Sequence, residues 1–159
     1  MGAESYLVAS SLQGVLAQRL IRRICQNCAK EYQPTTQESI WLSSMLQKNK
    51  NNSDEELSSH IFKQGSGCYQ CSNTGYKGRI GIYEWLEMDD ACLSALRRAD
   101  SDAFTAAAYN NQYYEPLEIC ALHYAKEGIT SLDEVFRVSA TLIEVDDVFG
   151  DELDLDLEL

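Results

Sequence analysis

The chain has 159 residues, of which 45% are hydrophobic, and a formal net charge of -12 at pH 7. This length can bury one core or two small ones. The 25 acidic residues outnumber the 13 basic ones, which argues against nucleic acid as a partner, because neutralising phosphates needs clustered Lys and Arg. We find neither a signal peptide nor a transmembrane segment. We therefore expect a soluble protein of a reducing compartment, whose six cysteines can hold metal.

The N-terminal segment combines a helical pattern with one that periodicity leaves open. Residues 4–13 predict a short helix with Ser5 as a candidate cap and Gly14 as its end. Residues 15–24 fit a helical face and a strand equally well. Three arginines of this acidic chain lie before the first CxxC pair: Arg19, Arg22 and Arg23. Such a cluster of positive charge requires negatively charged groups nearby. The basic residues expected to offset the charge of a metal–thiolate centre are Arg22, Arg23, Lys30, Lys77 and Arg79. Contact with a nucleotide or a neighbouring subunit is the alternative.

Two CxxC pairs are the strongest chemical signal in the sequence. Two residues between cysteines let one tight turn direct both sulfurs at a single point, and two such turns supply the tetrahedron that Zn²⁺ accepts. The metal would close the long segment of chain between the two pairs into a loop. Two redox dithiols, a pair of disulfides and a chance arrangement are the alternatives. We predict that four cysteines bind one zinc ion: Cys25, Cys28, Cys68 and Cys71.

The glycines after the second pair resemble a phosphate cradle at first sight, since Gly75, Gly78 and Gly81 recur at every third residue. No strand precedes them and no helix follows them directly, so a nucleotide-binding loop is not expected. They predict instead a turn into a strand over residues 80–86. We expect Arg79 to lie near the thiolates or near a carboxylate such as that of Glu84.

The rest of the chain is mainly helical in pattern. Segment 37–46 predicts a helix and 48–56 a surface loop. Further helices are predicted from caps or first-turn residues at Asp89, Ser101 and Pro116, and from a capping box over residues 131–134. Gly128 would stop the third of these helices. The other two cysteines are assigned to the core and the two histidines to packing or the surface: Cys92, Cys120, His60 and His123.

The composition changes abruptly near the C-terminus. Residues 144–159 contain eight acidic residues and no Lys or Arg. Such dense like charge disfavours a packed state, so we expect a disordered tail. An acidic docking segment is the alternative.

Three blocks of sequence, residues 4–28, 67–84 and 127–138, closely resemble the C-terminal part of the type II secretion and type IV pilus assembly ATPases. The second block reads GCYQCSNTGYKGRIGIYE and is specific enough to make chance agreement improbable. The resemblance implies the terminal helix and strand of a RecA-like ATPase core at 1–24. It implies a tetracysteine zinc subdomain at 25–86 and a helical subdomain at 87–143. The sequence departs from the family pattern over residues 114–127. A partner-binding surface of the family is therefore not carried over to this segment.

The family resemblance also implies a hexameric motor that hydrolyses ATP at the cytoplasmic face of the inner membrane. Its partners would be the other ATPase subunits and the inner-membrane platform proteins. The sequence contains no GxxxxGK[ST] loop, so ATP and Mg²⁺ belong to the full-length family, and we expect this chain alone to have no catalytic or nucleotide-binding residues. We interpret the chain as a fragment that starts at an internal methionine or as a split-gene product.

Together these observations predict an α+β chain, mainly α, in which a zinc-stapled subdomain with a short strand pair is followed by a small helical subdomain. The function expected is that of a non-catalytic zinc-binding portion that couples the motor to its platform. A CxxC dithiol oxidoreductase and a stand-alone zinc adaptor are the alternatives.

Overall fold

The computed structural model of the protein describes residues 4–47 and 60–140. Helices alternate with two small sheets in these residues, which confirms the predicted α+β class. The helices are α1 (Ser5–Ser11), α2 (Thr36–Gln47), α3 (Asp90–Arg97), α4 (Ser101–Asn110), α5 (Leu117–Lys126) and α6, whose described part is 132–140. The strands are β1 (Gly14–Ile24), β2 (Ala29–Tyr32), β3 (Phe62–Gly65) and β4 (Tyr76–Glu87).

Strands β1 and β4 form the longer sheet, a two-stranded ribbon. The N–H of Met88 donates to the Gln13 carbonyl, and that of Cys25 donates to the Gly75 carbonyl, so the strands run antiparallel. The β4 side has one residue more than the β1 side between these two bonds. Gly78, at a left-handed φ of 82°, has the conformation expected of the extra residue in a bulge. The segment that periodicity left open is therefore a strand.

The helices begin close to the positions predicted from the sequence, but the residue at the N-cap is not always the predicted one. Asp89 caps α3 as predicted, because its carboxylate accepts the Cys92 N–H at 2.8 Å. At α4 the cap is Asp100, which accepts the Ala103 N–H at 2.9 Å, so the assignment of Ser101 was wrong by one residue. The carboxylate is a charged acceptor at the positive helix end, which favours Asp over the serine that follows.

Two further cap predictions are corrected by the structure. Glu4 occupies the N-cap of α1 without a side-chain hydrogen bond, and Ser5 is already helical. Pro116 precedes α5 instead of lying in its first turn. Gly128 does follow the end of α5 in the left-handed conformation, with φ 69°. The predicted loop 48–56 and acidic tail 144–159 lie outside the described residues.

The contacts divide the chain into two compact units, and the first comprises Met1–Arg19, Gln33–Ile61 and Gly81–Pro116. A buried cluster in this unit contains Leu86, Met88 and Cys92, and side chains of α3 and α4 pack against it. Cys92 is fully buried, as predicted for a core cysteine. Asn111, also buried, donates to the Glu87 carbonyl at 3.0 Å and thereby satisfies its amide inside the unit.

The second unit comprises Leu20–Tyr32, Phe62–Ile80 and Leu117–Leu159. It contains all four predicted metal ligands, the end of the ribbon, α5 and the described part of α6. Strands β2 and β3 pair antiparallel in this unit, from Ala29 with Gly65 to Tyr32 with Phe62. Cys120 on α5 is half-buried, so it is only partly the core residue that was predicted. None of the helices in the described residues is both long and apolar enough to cross a bilayer.

Candidate metal centre

Four cysteine side chains from the two CxxC pairs converge in the second unit. Their Sγ atoms all lie within 4.8 Å of one another: Cys25, Cys28, Cys68 and Cys71. The Sγ–Sγ distance is 3.9 Å between Cys25 and Cys68, and 3.8 Å between Cys28 and Cys71. Within the second pair it is 3.7 Å. In the described residues this is the one group of at least three His, Cys, Asp or Glu side chains close enough to hold a metal.

The sulfur spacing matches a tetrahedral metal site. A Zn–S bond of about 2.3 Å implies sulfurs about 3.8 Å apart at the corners of a regular tetrahedron. The three distances above differ from this value by little more than about 0.1 Å. A disulfide would bring two sulfurs to about 2.05 Å, whereas all six cysteines of the structure are free thiols. The arrangement therefore fits a metal and does not fit the pair of disulfides.

The first cysteine pair is held by backbone bonds at the end of β1. The Cys25 N–H donates to the Gly75 carbonyl at 2.9 Å, which ties this pair to the chain that follows the second pair. The Cys28 N–H donates back to the Cys25 carbonyl at 3.1 Å and closes the turn. The Ser66 N–H then donates to the Cys28 carbonyl at 3.0 Å. Both CxxC turns are thus anchored on one backbone framework.

The second pair lies on a single 3₁₀ turn, Tyr69–Cys71. Two backbone N–H groups donate to the Cys71 sulfur, that of Cys68 at 3.2 Å and that of Gly75 at 3.3 Å. Gly75 follows this turn in the left-handed conformation, with φ 78°, which a glycine adopts without strain. The turn and the residue that follows it therefore direct two backbone N–H donors at the Cys71 sulfur.

These surroundings shift the pKa values of the thiols in different directions. The amide of Asn27 donates to the Cys68 sulfur at 3.6 Å and lowers the pKa of Cys68 to about 6, although burial opposes this. Burial also opposes ionisation of Cys71, but the backbone donors of Cys68 and Gly75 hold the pKa of Cys71 below its usual range. Burial raises the pKa of Cys28 to about 12. A bound cation is what would allow Cys28 to ionise as well.

A buried acid braces the strand that leads into the first pair. Glu134 on α6 has a fully buried side chain, and both its oxygens accept from Arg22: Oε2 from the backbone N–H and Oε1 from Nε, each at 2.8 Å. Arg137 donates to Oε2 at 2.7 Å. The hydrogen bond to Glu134 raises the pKa of Arg22 despite partial burial. Arg22 is three residues before Cys25, so α6 fixes the end of the strand that leads into the cysteine cluster.

The same guanidinium group connects to the chain that follows the second pair. The guanidinium carbon of Arg22 lies 4.0 Å from the centre of the Tyr76 ring, a cation–π contact. The Tyr76 hydroxyl is 2.6 Å from the hydroxyl of Ser131 at the start of α6. The Thr130 hydroxyl donates to the Arg22 carbonyl at 2.8 Å, and the Ile24 N–H donates to the Ile129 carbonyl. Residues 129–134 thus join β1, which leads into the first cysteine pair, to the start of β4, which follows the second pair.

The sequence pattern missed this role of Glu134. The carboxylate was predicted to close a capping box at α6, but its oxygens accept from Arg22 and Arg137. The available signal was position, since Glu134 shares a helical stripe with the buried residues Ser131, Val135 and Val138. An acid in an otherwise buried stripe indicates a cationic partner, because a buried carboxylate needs charged donors.

The remaining predicted site residues do not contribute to the centre. His123 is exposed on α5, and His60 is half-buried and is not part of the cysteine cluster. Arg79 is exposed. No hydrogen bond or ion pair joins the Arg79 side chain to another described residue, so the structure does not support its predicted place beside the thiolates or Glu84.

The fold and the site define an α+β chain with a cluster of four cysteines in its second unit that could hold a metal ion. The family model described as type II/IV secretion system protein matches residues 1–137. The chain belongs to this family.

Three similar proteins carry names of the same kind. The type II secretion system ATPase E of Vibrio cholerae is 34% identical over 87% of the chain, and the type IV pilus assembly ATPase PilB of Thermus thermophilus is 33% identical over 85%. The type IV pilus assembly ATPase TfpB of Acinetobacter baylyi is 35% identical over 87%. The matches cover only 25%, 14% and 22% of these relatives, so the chain spans a quarter of their length or less.

Proposed function

We propose that the protein is a non-catalytic zinc-binding portion of a secretion or pilus assembly ATPase, in which the metal fixes the geometry of the second unit. The observation that carries the proposal is the spacing of the four sulfurs, which fits one tetrahedral Zn²⁺. The ligands would be Cys25, Cys28, Cys68 and Cys71. The metal's chemistry would be structural, because four protein ligands leave no open position for a substrate.

The setting of this portion follows from the family. We propose that it works inside a hexameric motor at the cytoplasmic face of the inner membrane and helps couple the motor to the membrane platform. The order of the family blocks along the sequence supports a division into the last helix and strand of a RecA-like core at 1–24, a zinc subdomain at 25–86 and a helical subdomain at 87–143. The two compact units divide the chain differently, because the second unit groups 20–32 and 62–80 with the residues from 117 onward. ATP and Mg²⁺ would be bound by parts of the motor that this sequence does not contain.

The first test is the metal content of the chain purified under reducing conditions. We expect one zinc per chain, and its removal by a chelator should unfold the second unit, since binding free energy is then folding free energy. Cys25→Ser and Cys71→Ser should each lose the metal. Cys120→Ser is the matched control, because it removes a half-buried thiol from the same unit without touching the cluster, and it should keep the metal.

The zinc content also tests the alternative that the protein is a dithiol oxidoreductase. A filled four-thiolate site has no free nucleophile, so the zinc-loaded protein should not reduce a disulfide substrate. A metal-free chain that stays folded and turns over such a substrate would show that the centre is a pair of redox dithiols.

A second test concerns nucleotide. Triphosphate binding depends on the amides of a Gly-rich loop, a lysine and Mg²⁺, and this sequence supplies no such loop. Calorimetry with Mg-ATP at tens of micromolar protein, on the order needed to detect weak binding, should show no saturable heat. Micromolar affinity, or ATP turnover that survives repurification, would mean that the chain has an active site of its own.

A further inference from the structure

Basic residues are concentrated in the two segments that carry the cysteine pairs. Residues 20–32 and 62–80 together contain six Lys or Arg and one acidic residue, in a chain whose net charge is -12. A zinc bound by four thiolates would add a charge of about -2, and these segments would still be positive. The strongest concentration of acid is residues 144–159, with eight Asp or Glu and no Lys or Arg.

Two of the basic residues lie opposite each other at the end of the ribbon. Because Cys25 pairs with Gly75, the antiparallel register places Arg23 opposite Lys77. We call these two residues the basic surface. Both are exposed, and no side-chain hydrogen bond or ion pair joins either of them to another described residue. Like charges directly opposite each other weaken a strand pair, so this arrangement favours an anionic occupant.

We propose that the acidic segment 144–159 binds the basic surface of the same chain. The described part of α6 ends at residue 140, in the same compact unit as the basic surface, and the acidic segment begins four residues later. Sixteen extended residues reach at most about 55 Å. A short tether gives an effective concentration on the order of millimolar, so individually weak surface ion pairs suffice for intramolecular binding.

This contact would regulate access to the surface. Any other anionic group that approaches Arg23 and Lys77 has to displace the acidic segment, which acts as a built-in competitor. The attraction is between exposed charges and therefore depends on salt, since at 0.1 M ionic strength it is screened beyond about 10 Å. The inference does not depend on which metal the centre holds or on the role proposed for the chain in secretion.

The test uses a labelled synthetic peptide of residues 143–159 and two full-length proteins. One is the natural chain, and the other has the eight acids of 144–159 replaced by Asn or Gln. We expect saturable binding of the peptide to the neutralised chain, weakened at least tenfold between 20 and 300 mM salt. The natural chain should bind the peptide at least tenfold more weakly than the neutralised one, because its own segment occupies the surface.

Matched substitutions in the neutralised chain locate the contact. Arg23→Gln with Lys77→Gln should weaken peptide binding at least fivefold, whereas Arg97→Gln with Arg98→Gln removes two exposed charges from the first unit and should leave it unchanged. Metal content and the unfolding midpoint verify that both variants are folded. Equal weakening by the two pairs, equal affinity of the natural and neutralised chains, or no peptide binding would each overturn the proposal. Self-association of the neutralised chain in place of peptide binding would identify the surface as a subunit contact instead.

Discussion

Replacing Glu134 by glutamine removes one charge and almost no volume from a fully buried side chain. The carboxylate accepts from the backbone and guanidinium of Arg22 and from Arg137, at both of its oxygens. An amide has one acceptor oxygen and one donor nitrogen. In either orientation the introduced glutamine would therefore turn an N–H group toward the donors of Arg22 or Arg137.

The expected loss of stability follows from burial. Breaking a fully buried ion pair costs about 3–5 kcal/mol. The Arg22 and Arg137 side chains are 46% and 57% exposed, so solvent screens their charges and compensates part of this loss. We therefore expect Glu134→Gln to lower the free energy of unfolding by about 1.5–3 kcal/mol. With a urea m-value of about 1–3 kcal/mol per molar, the midpoint should fall by about 1 M.

The pH dependence gives a second readout. Burial opposes ionisation of Glu134, but the hydrogen bonds from Arg22 outweigh it and lower the pKa of the carboxyl below the ordinary 4.5. A carboxyl with a lowered folded-state pKa contributes stability that is present above its unfolded pKa and is lost as the pH falls through the folded value. The stability difference between the natural chain and Glu134→Gln should therefore be full at pH 7 and shrink below about pH 4.5.

Urea unfolding of both proteins at pH 7 and in steps to pH 4 measures this difference. The thiols titrate in both proteins, so they cancel in the comparison. Asp133→Asn is the matched control, because Asp133 is the exposed neighbour on the same helix and its loss should change stability by less than about 0.5 kcal/mol. If Glu134→Gln behaves like Asp133→Asn, or if its effect does not change with pH, the carboxylate does not brace β1 as described.

Three further substitutions test the backbone of the second unit and the role predicted for Arg79. Gly65→Ala should prevent assembly of the metal centre, seen as loss of bound zinc, because its Cβ would overlap the Gly75 carbonyl group. Gly78→Ala should keep the metal and lose only about 1–2 kcal/mol in urea unfolding, since φ is 82° but no described atom lies within 4 Å of the added carbon. Arg79→Ala should leave zinc content and the thermal midpoint unchanged, whereas a drop in either would restore the structural role that the sequence suggested for this arginine.

Local spacing was sufficient for much of the centre. Two residues between cysteines place both sulfurs of a pair on one turn, so the four cysteines that converge could be named from the sequence without knowledge of the fold. The same holds for Asp89 at α3 and for Gly128 after α5, because a cap or a left-handed residue acts within one turn of chain. Where the local rules failed, as at Ser5 and Ser101, a neighbouring acid occupied the cap position.

Features that depend on residues far apart in sequence could be seen only in the folded chain. Residues 15–24 became a strand because β4, far along the chain, supplies the hydrogen bonds that a helix would make internally. Glu134 left its local capping role because Arg22, 112 positions away, offers a charged donor that a buried carboxylate requires. Residue type and short spacing were enough to predict a cluster of four thiols, because both act within one turn of chain. Only the folded chain determined what braces it, because pairing over long separations depends on burial that no local pattern specifies.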